Sequence, residues 1–160
     1  FEEKVITTMI GKHFPDADRD STAVIPTVLP SRTFLEKAFL LCEEFQKEKP
    51  RSLRMSRHLF DLEKLMDTEF GRQALADSAL YRAIVEHRRK FYHVSYADYD
   101  KDYPDKIEFY PPVECIKDWE NDYAALQESF IYGNKISFGQ LLLRIKELQQ
   151  RFRSIGTTSK

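Results

Sequence analysis

The sequence predicts a mainly α chain with a small β element near its amino end, an α+β arrangement in which helices dominate. Three observations carry this. Apolar residues recur at three- and four-residue spacing through most of the chain. The breaks between those stretches fall at Pro, Gly and Ser, the residues that stop and start helices. Only one run, Ala23 to Leu29, is apolar, β-branched and short enough to be a strand.

Taken in order, Phe1, Val5, Ile6, Met9, Ile10 and Phe14 keep helical spacing and predict a short amphipathic helix that stops before Pro15. Asp16 to Ser21 is a polar loop. Pro26 interrupts the β-branched run and removes an amide donor, so any strand there is an edge strand. Ser31 can cap a helix whose apolar stripe is Phe34, Leu35, Ala38, Phe39, Leu41, Cys42 and Phe45. Ser52 can cap the next, which runs past Leu59, Leu62 and Met66 to a left-handed turn at Gly71. These two helices are expected to form a hairpin. A further helix runs from about Asp77 to Phe91.

Tyr92 to Pro112 is irregular, rich in tyrosine and aspartate, and reads as an ordered surface loop with a short strand at Lys106 to Tyr110. A helix from Pro112 through Trp119 and Tyr123 ends by Gly133, and Ser137 opens the last one, through Leu141, Ile145 and Phe152. The domain reading is an amino-terminal segment 1–30, a helical domain 31–156 and a disordered tail 157–160.

Composition narrows the function classes. A chain of 160 residues that is 42% hydrophobic can bury a core. Its net charge of -1 gives no global attraction for nucleic acid or an anionic membrane, so an anionic partner must meet a local patch. No apolar run reaches the roughly 20 residues that cross a bilayer, and no signal-peptide pattern is present. Cys42 and Cys115 lie far apart in helical patterns and match no metal motif, so they read as reduced core thiols of a cytoplasmic protein.

The candidate chemistry lies on the helices after Pro30. Arg32 and Glu36 are four apart, as are Arg57 and Asp61, while His58 and Asp61 are three apart, so each set shares a helix face. If those faces meet, cations and a carboxylate converge as a polyphosphate site requires. Spacing alone favours two solvated faces with weak ion pairs.

The run Val28-Leu29-Pro30-Ser31-Arg32-Thr33-Phe34-Leu35-Glu36-Lys37, followed by Arg54-Met55-Ser56-Arg57-His58-Leu59-Phe60-Asp61-Leu62, resembles the carboxyl-side half of the AbiEii/AbiGii-type nucleotidyltransferase toxin family. Asp118 to Tyr123 is similar to the family's Asp-Tyr helix, and the closing Ser137-Phe138 helix also fits. The resemblance implies the helical carboxyl-terminal part of a polymerase β-like nucleotidyltransferase, a bacterial toxin of toxin–antitoxin, abortive-infection or phage-defence systems. It further implies transfer of a nucleotide from a nucleoside triphosphate (NTP), with Mg2+, to an RNA acceptor such as tRNA, and a cognate antitoxin as partner.

By that resemblance Lys37 is the lysine that holds triphosphate oxygens and Asp61 the later essential aspartate. Arg32, Glu36, Arg54 and Arg57 belong to the nucleotide- and phosphate-binding set, and His58 either binds phosphate or fixes Asp61. Lys37 and Asp61 are then expected to point into a common open cleft. The family's Gly-Ser turn and strand-borne Asp-x-Asp pair, which would hold the metal ions, have no counterpart: Lys12 follows Gly11, and Asp16-Ala17-Asp18 sits in a polar loop after Pro15. That motif is expected before Phe1, and this chain alone is expected not to transfer nucleotides.

Two other readings remain open. One is a noncatalytic helical domain that binds an antitoxin or RNA and keeps the same charges as ion pairs. The other takes Arg82-x4-His87 as a ribonuclease motif of the HEPN type. Basic residues from His87 to His93 beside the tyrosines could also track a nucleic-acid backbone, although Asp98, Asp100, Asp102 and Asp105 on the same surface loop oppose this.

Overall fold

The computed structural model describes residues 2–18 and 21–155; the tail expected at 157–160 lies outside the described residues. The chain divides into two compact units, 1–30 and 31–160. It is mainly α, with seven helices and a two-stranded sheet among the described residues.

In the first unit, strand β1 (Glu2–Ile6) pairs antiparallel with β2 (Ala23–Thr27), from Glu2 opposite Thr27 to Ile6 opposite Ala23. Pro26 lies opposite Glu3, tolerated because each strand of a two-stranded ribbon has an open edge. The helix expected over 1–14 is thus confined to α1 (Met9–His13), whose first turn is capped by Thr8. The spacing of Val5, Ile6, Met9 and Ile10 was misleading because β-branched Val5 and Ile6 pair with Val24 and Ala23 instead. Asp18 accepts a 2.6 Å hydrogen bond from the Thr8 hydroxyl.

The second unit holds the core. Helix α2 (Pro30–Glu44) starts with a proline at its first position, where the missing amide costs nothing, so Ser31 is buried inside the helix and not at its cap. Phe34, Leu35, Ala38, Phe39 and Leu41 are fully buried, as the stripe predicts. Helix α3 (Ser56–Met66) begins four residues beyond Ser52. Residues 52–55 form a turn closed by the Met55 amide on the Ser52 carbonyl, with Arg54 at a left-handed φ of 59°. Helix α3 packs against α4 (Glu69–Ala76), α6 (Ile116–Ser129) and α7 (Phe138–Arg153).

Helix α4 has no counterpart in the sequence reading. Gly71 was expected to end the preceding helix in a left-handed turn, yet it lies inside α4, where an added Cβ would come within 2.3 Å of the Leu65 carbonyl oxygen. Its smallness permits close approach. Helix α5 (Ser78–Phe91) is capped by Asp77, and α7 opens with a capping box between Ser137 and Gln140.

Residues 106–110 alternate in burial, with Ile107 and Phe109 fully buried, but form no strand. The amides of Phe109 and Tyr110 donate instead to the buried side-chain oxygen of Gln149 on α7, at 2.9 and 3.1 Å. Asp102, expected at the surface, is fully buried. Cys42 and Cys115 are free and buried, and burial pushes both thiols up.

Candidate phosphate-handling site

Lys37 leaves α2 and Asp61 leaves α3, and their charged ends meet: Lys37 Nζ lies 2.7 Å from Asp61 Oδ2. His58, one turn before Asp61, presents Nδ1 to the same ammonium at 3.4 Å. Burial first, then the positive charges of Lys37 and Arg57, hold the His58 imidazole down at about 4. It is therefore neutral at physiological pH, and Nδ1 accepts from Lys37 while the proton resides on Nε2. The pair is not sealed, since 40% of the Asp61 side chain is exposed against 21% for Lys37.

Asp61 also lines a half-open cleft of about 580 Å³ between α3 and the end of α6. Four charged residues line it, Arg54, Arg57, Asp61 and Asp122. Leu53, Phe60, Leu126, Phe130 and Ile131 supply most of its remaining lining. Lys37 does not line this cleft; it approaches Asp61 from the α2 side. The common cleft expected for Lys37 and Asp61 is thus lined by Asp61 together with Arg54 and Arg57.

The structure brings Lys37, His58 and Asp61 into one cluster and Arg54, Arg57 and Asp61 into one cleft. Arg32 and Glu36 instead close on each other, Nε to Oε1 at 2.9 Å, as an i,i+4 pair. Arg51 is tied to Glu44 through its backbone amide at 2.8 Å and its guanidinium at 3.6 Å.

The residue that sequence reasoning undervalued is Asp122. From α6 it accepts hydrogen bonds from the Arg54 amide at 2.6 Å, the Ser56 amide at 2.9 Å and the Ser56 hydroxyl at 2.5 Å. It supplies across the fold the cap that Met55, at the N-cap position, cannot. This also holds Arg54 in its left-handed conformation beside Arg57. A helix start without a capping side chain was the available signal, but its partner lies 66 residues away from Ser56.

The other constellations do not converge. Arg82 and His87 are both exposed on α5, and five residues of helix separate them by about 140° around the axis. Near the tyrosines, Arg88 is buried on Glu43, Arg89 pairs with Asp100, and Lys47 pairs with Glu44 beneath the Tyr96 ring. Within the run from His87 to His93, both arginines are therefore already neutralised.

Among the described residues no group of three or more His, Cys, Asp or Glu side chains could hold a metal ion. Asp61 faces an ammonium and Asp122 faces three donors, so these carboxylates do not fit a metal pair. No helix among the described residues is long and apolar enough to cross a membrane.

Compared with known proteins, the chain matches a family model described as the nucleotidyl transferase AbiEii toxin of type IV toxin–antitoxin systems, over residues 1–151. No curated protein and no solved structure matches it. Because the family match runs through both motif helices and on past Asp122 into α7, this chain belongs to the AbiEii nucleotidyltransferase toxin family.

Proposed function

We propose that residues 31–155 form the helical portion of a nucleotidyltransferase toxin that moves a nucleotide from an NTP to an RNA acceptor such as tRNA. In this reading Lys37 and Asp61 are its catalytic pair. The observation that carries it is the Lys37–Asp61–His58 cluster, open on the Asp61 side and continuous with a cleft bearing two arginines. Asp61 holds the Lys37 ammonium in place at 2.7 Å, and neutral His58 limits its swing. An arriving triphosphate shares the ammonium with Asp61, and Arg54 and Arg57 offer their charge to phosphate groups in the adjoining cleft. Once their mutual pair opens, Arg32 joins the phosphate-binding set and Glu36 accepts from a donor group of the nucleotide. The Mg2+ such an enzyme uses would be held by carboxylates other than these, and a cognate antitoxin would restrain the whole in the cytoplasm of a bacterium defending itself against phage.

The closure of Lys37 on Asp61 favours a second reading, a noncatalytic helical domain that binds an antitoxin or RNA. Incubating the complete protein with labelled NTPs, magnesium and total tRNA separates the two. Wild type labels RNA, and Lys37→Ala and Asp61→Ala each lower labelling at least about a hundredfold, in line with loss of an electrostatic group at a reacting phosphate. Equal labelling by all three proteins removes this assignment, and no labelling by wild type favours the second reading.

A further inference from the structure

We propose that the cleft between α3 and the end of α6 binds one unpaired nucleotide of a single nucleic-acid strand, its base against Leu53 and Phe130 and its phosphodiesters on Arg54 and Arg57. The inference rests on the nucleotidyltransferase reading only in taking the strand to be the acceptor.

The charges that line the cleft are unequally satisfied. Both of its carboxylates are engaged, Asp61 by Lys37 and Asp122 by the two amides and hydroxyl at the start of α3. Both of its arginines are free of ion pairs among the described residues, whereas Arg32, Arg88, Arg144, Arg151 and Arg153 each bond a carboxylate. The cleft therefore seeks an anion. Its remaining lining is mostly apolar, and Leu53 and Phe130 are 76% and 67% exposed. Unpaired guanidiniums and an exposed aromatic ring lining the same cleft describe a nucleotide site.

A strand fits this cleft better than a free triphosphate does. A polyphosphate is ordinarily cradled by the amides at a helix start. Here Asp122 already holds the amides of Arg54 and Ser56 and adds a negative charge beside them. A triphosphate finds no cradle in this cleft and is left to Lys37. A phosphodiester carries a single charge and needs only a single guanidinium, which Arg54 and Arg57 each offer.

The test is fluorescence anisotropy of a labelled single-stranded oligoribonucleotide of about eight nucleotides with the complete protein. Phe130→Ala, at an exposed position that leaves the core intact, is expected to weaken binding about tenfold, the worth of one base stacked on an aromatic ring. Arg57→Ala is expected to lower the slope of log K against log salt by about 0.7, one phosphate contact of a single strand. Lys37→Ala is expected to retain strand binding while losing RNA labelling, so failure of this inference and failure of the catalytic assignment read out separately. Unchanged binding by Phe130→Ala and Arg57→Ala overturns the proposal. So does a result in which Phe130→Ala weakens binding of free ATP and leaves the oligoribonucleotide unaffected.

Discussion

Asp102 shows how far a single side chain can depart from its sequence context. It lies among Asp98, Asp100 and Asp105 and reads as one more solvated acid, yet it is fully buried and neither carboxyl oxygen has a hydrogen-bond partner. Cys42 and Glu43 face it from α2, and Arg88 and Tyr81 from α5. Burial, and next the Glu43 carboxylate, push its carboxyl up to about 8. The folded protein therefore keeps a proton that the unfolded chain releases near pH 4. Stability is greatest below pH 4 as far as this group is concerned, and falls as pH rises from there to about 8. Urea denaturation should give a lower midpoint at pH 8 than at pH 5 for wild type, and Asp102→Asn should flatten that difference. A wild-type midpoint falling no more steeply than that of the variant would count against a buried neutral acid. At the same scale, helical spacing placed His58 and Asp61 on one face and the resemblance alone singled out Lys37, so their meeting was only half legible. Asp122 was visible only as part of a resembling segment, since a cap delivered from another helix leaves no local pattern.

Among the elements, helices with a capping residue and a clear apolar stripe were read correctly from sequence. Helix α5 after Asp77 and α7 after Ser137 start where the sequence places them, because the cap and the first turn are neighbours in the chain. The starts of α2 and α3 were misplaced for opposite reasons. Proline can open a helix without a side-chain cap, and Asp122 caps α3 from a distance. Gly71 was read as a helix end because glycine most often marks one, whereas here it lets the first turn of α4 press against the last turn of α3. Gly71→Ala should therefore destabilise the fold by about 1–3 kcal/mol, as overpacking against an immobile backbone does. Alanine would stabilise an ordinary mid-helix site by about 1 kcal/mol. The sign of the change in thermal midpoint decides between the two. The strand expected at 106–110 failed because alternation of buried residues needs a partner strand to become a sheet, and Gln149 offers a side-chain amide instead.

At the scale of the whole unit, Glu43 and Arg88 join α2 to α5 through two hydrogen bonds of 2.6 and 2.7 Å in a setting that leaves each side chain 8% exposed. Removing one partner strands the other charge in the interior. Arg88→Ala should cost about 3–5 kcal/mol, while replacing the pair by Glu43→Leu and Arg88→Met should recover most of that loss. Equilibrium unfolding of the two variants checks this, and a double variant as unstable as the single one would show that the pair contributes more than mutual neutralisation.

The sequence by itself determined the helical class, the strand at Pro26, the family and the two charged motif helices. The helices and the strand follow from periodicity and punctuation within short windows, and the family from the resemblance of the motif runs. Only the tertiary structure decided that Lys37 closes on Asp61 through a site shared with a neutral His58, that Asp122 holds the start of α3, and that Arg54 and Arg57 face an apolar cleft without carboxylate partners. The physical reason is that charge compensation and capping depend on which side chains arrive within about 3 Å of one another, and those partners come from elements far apart in the chain.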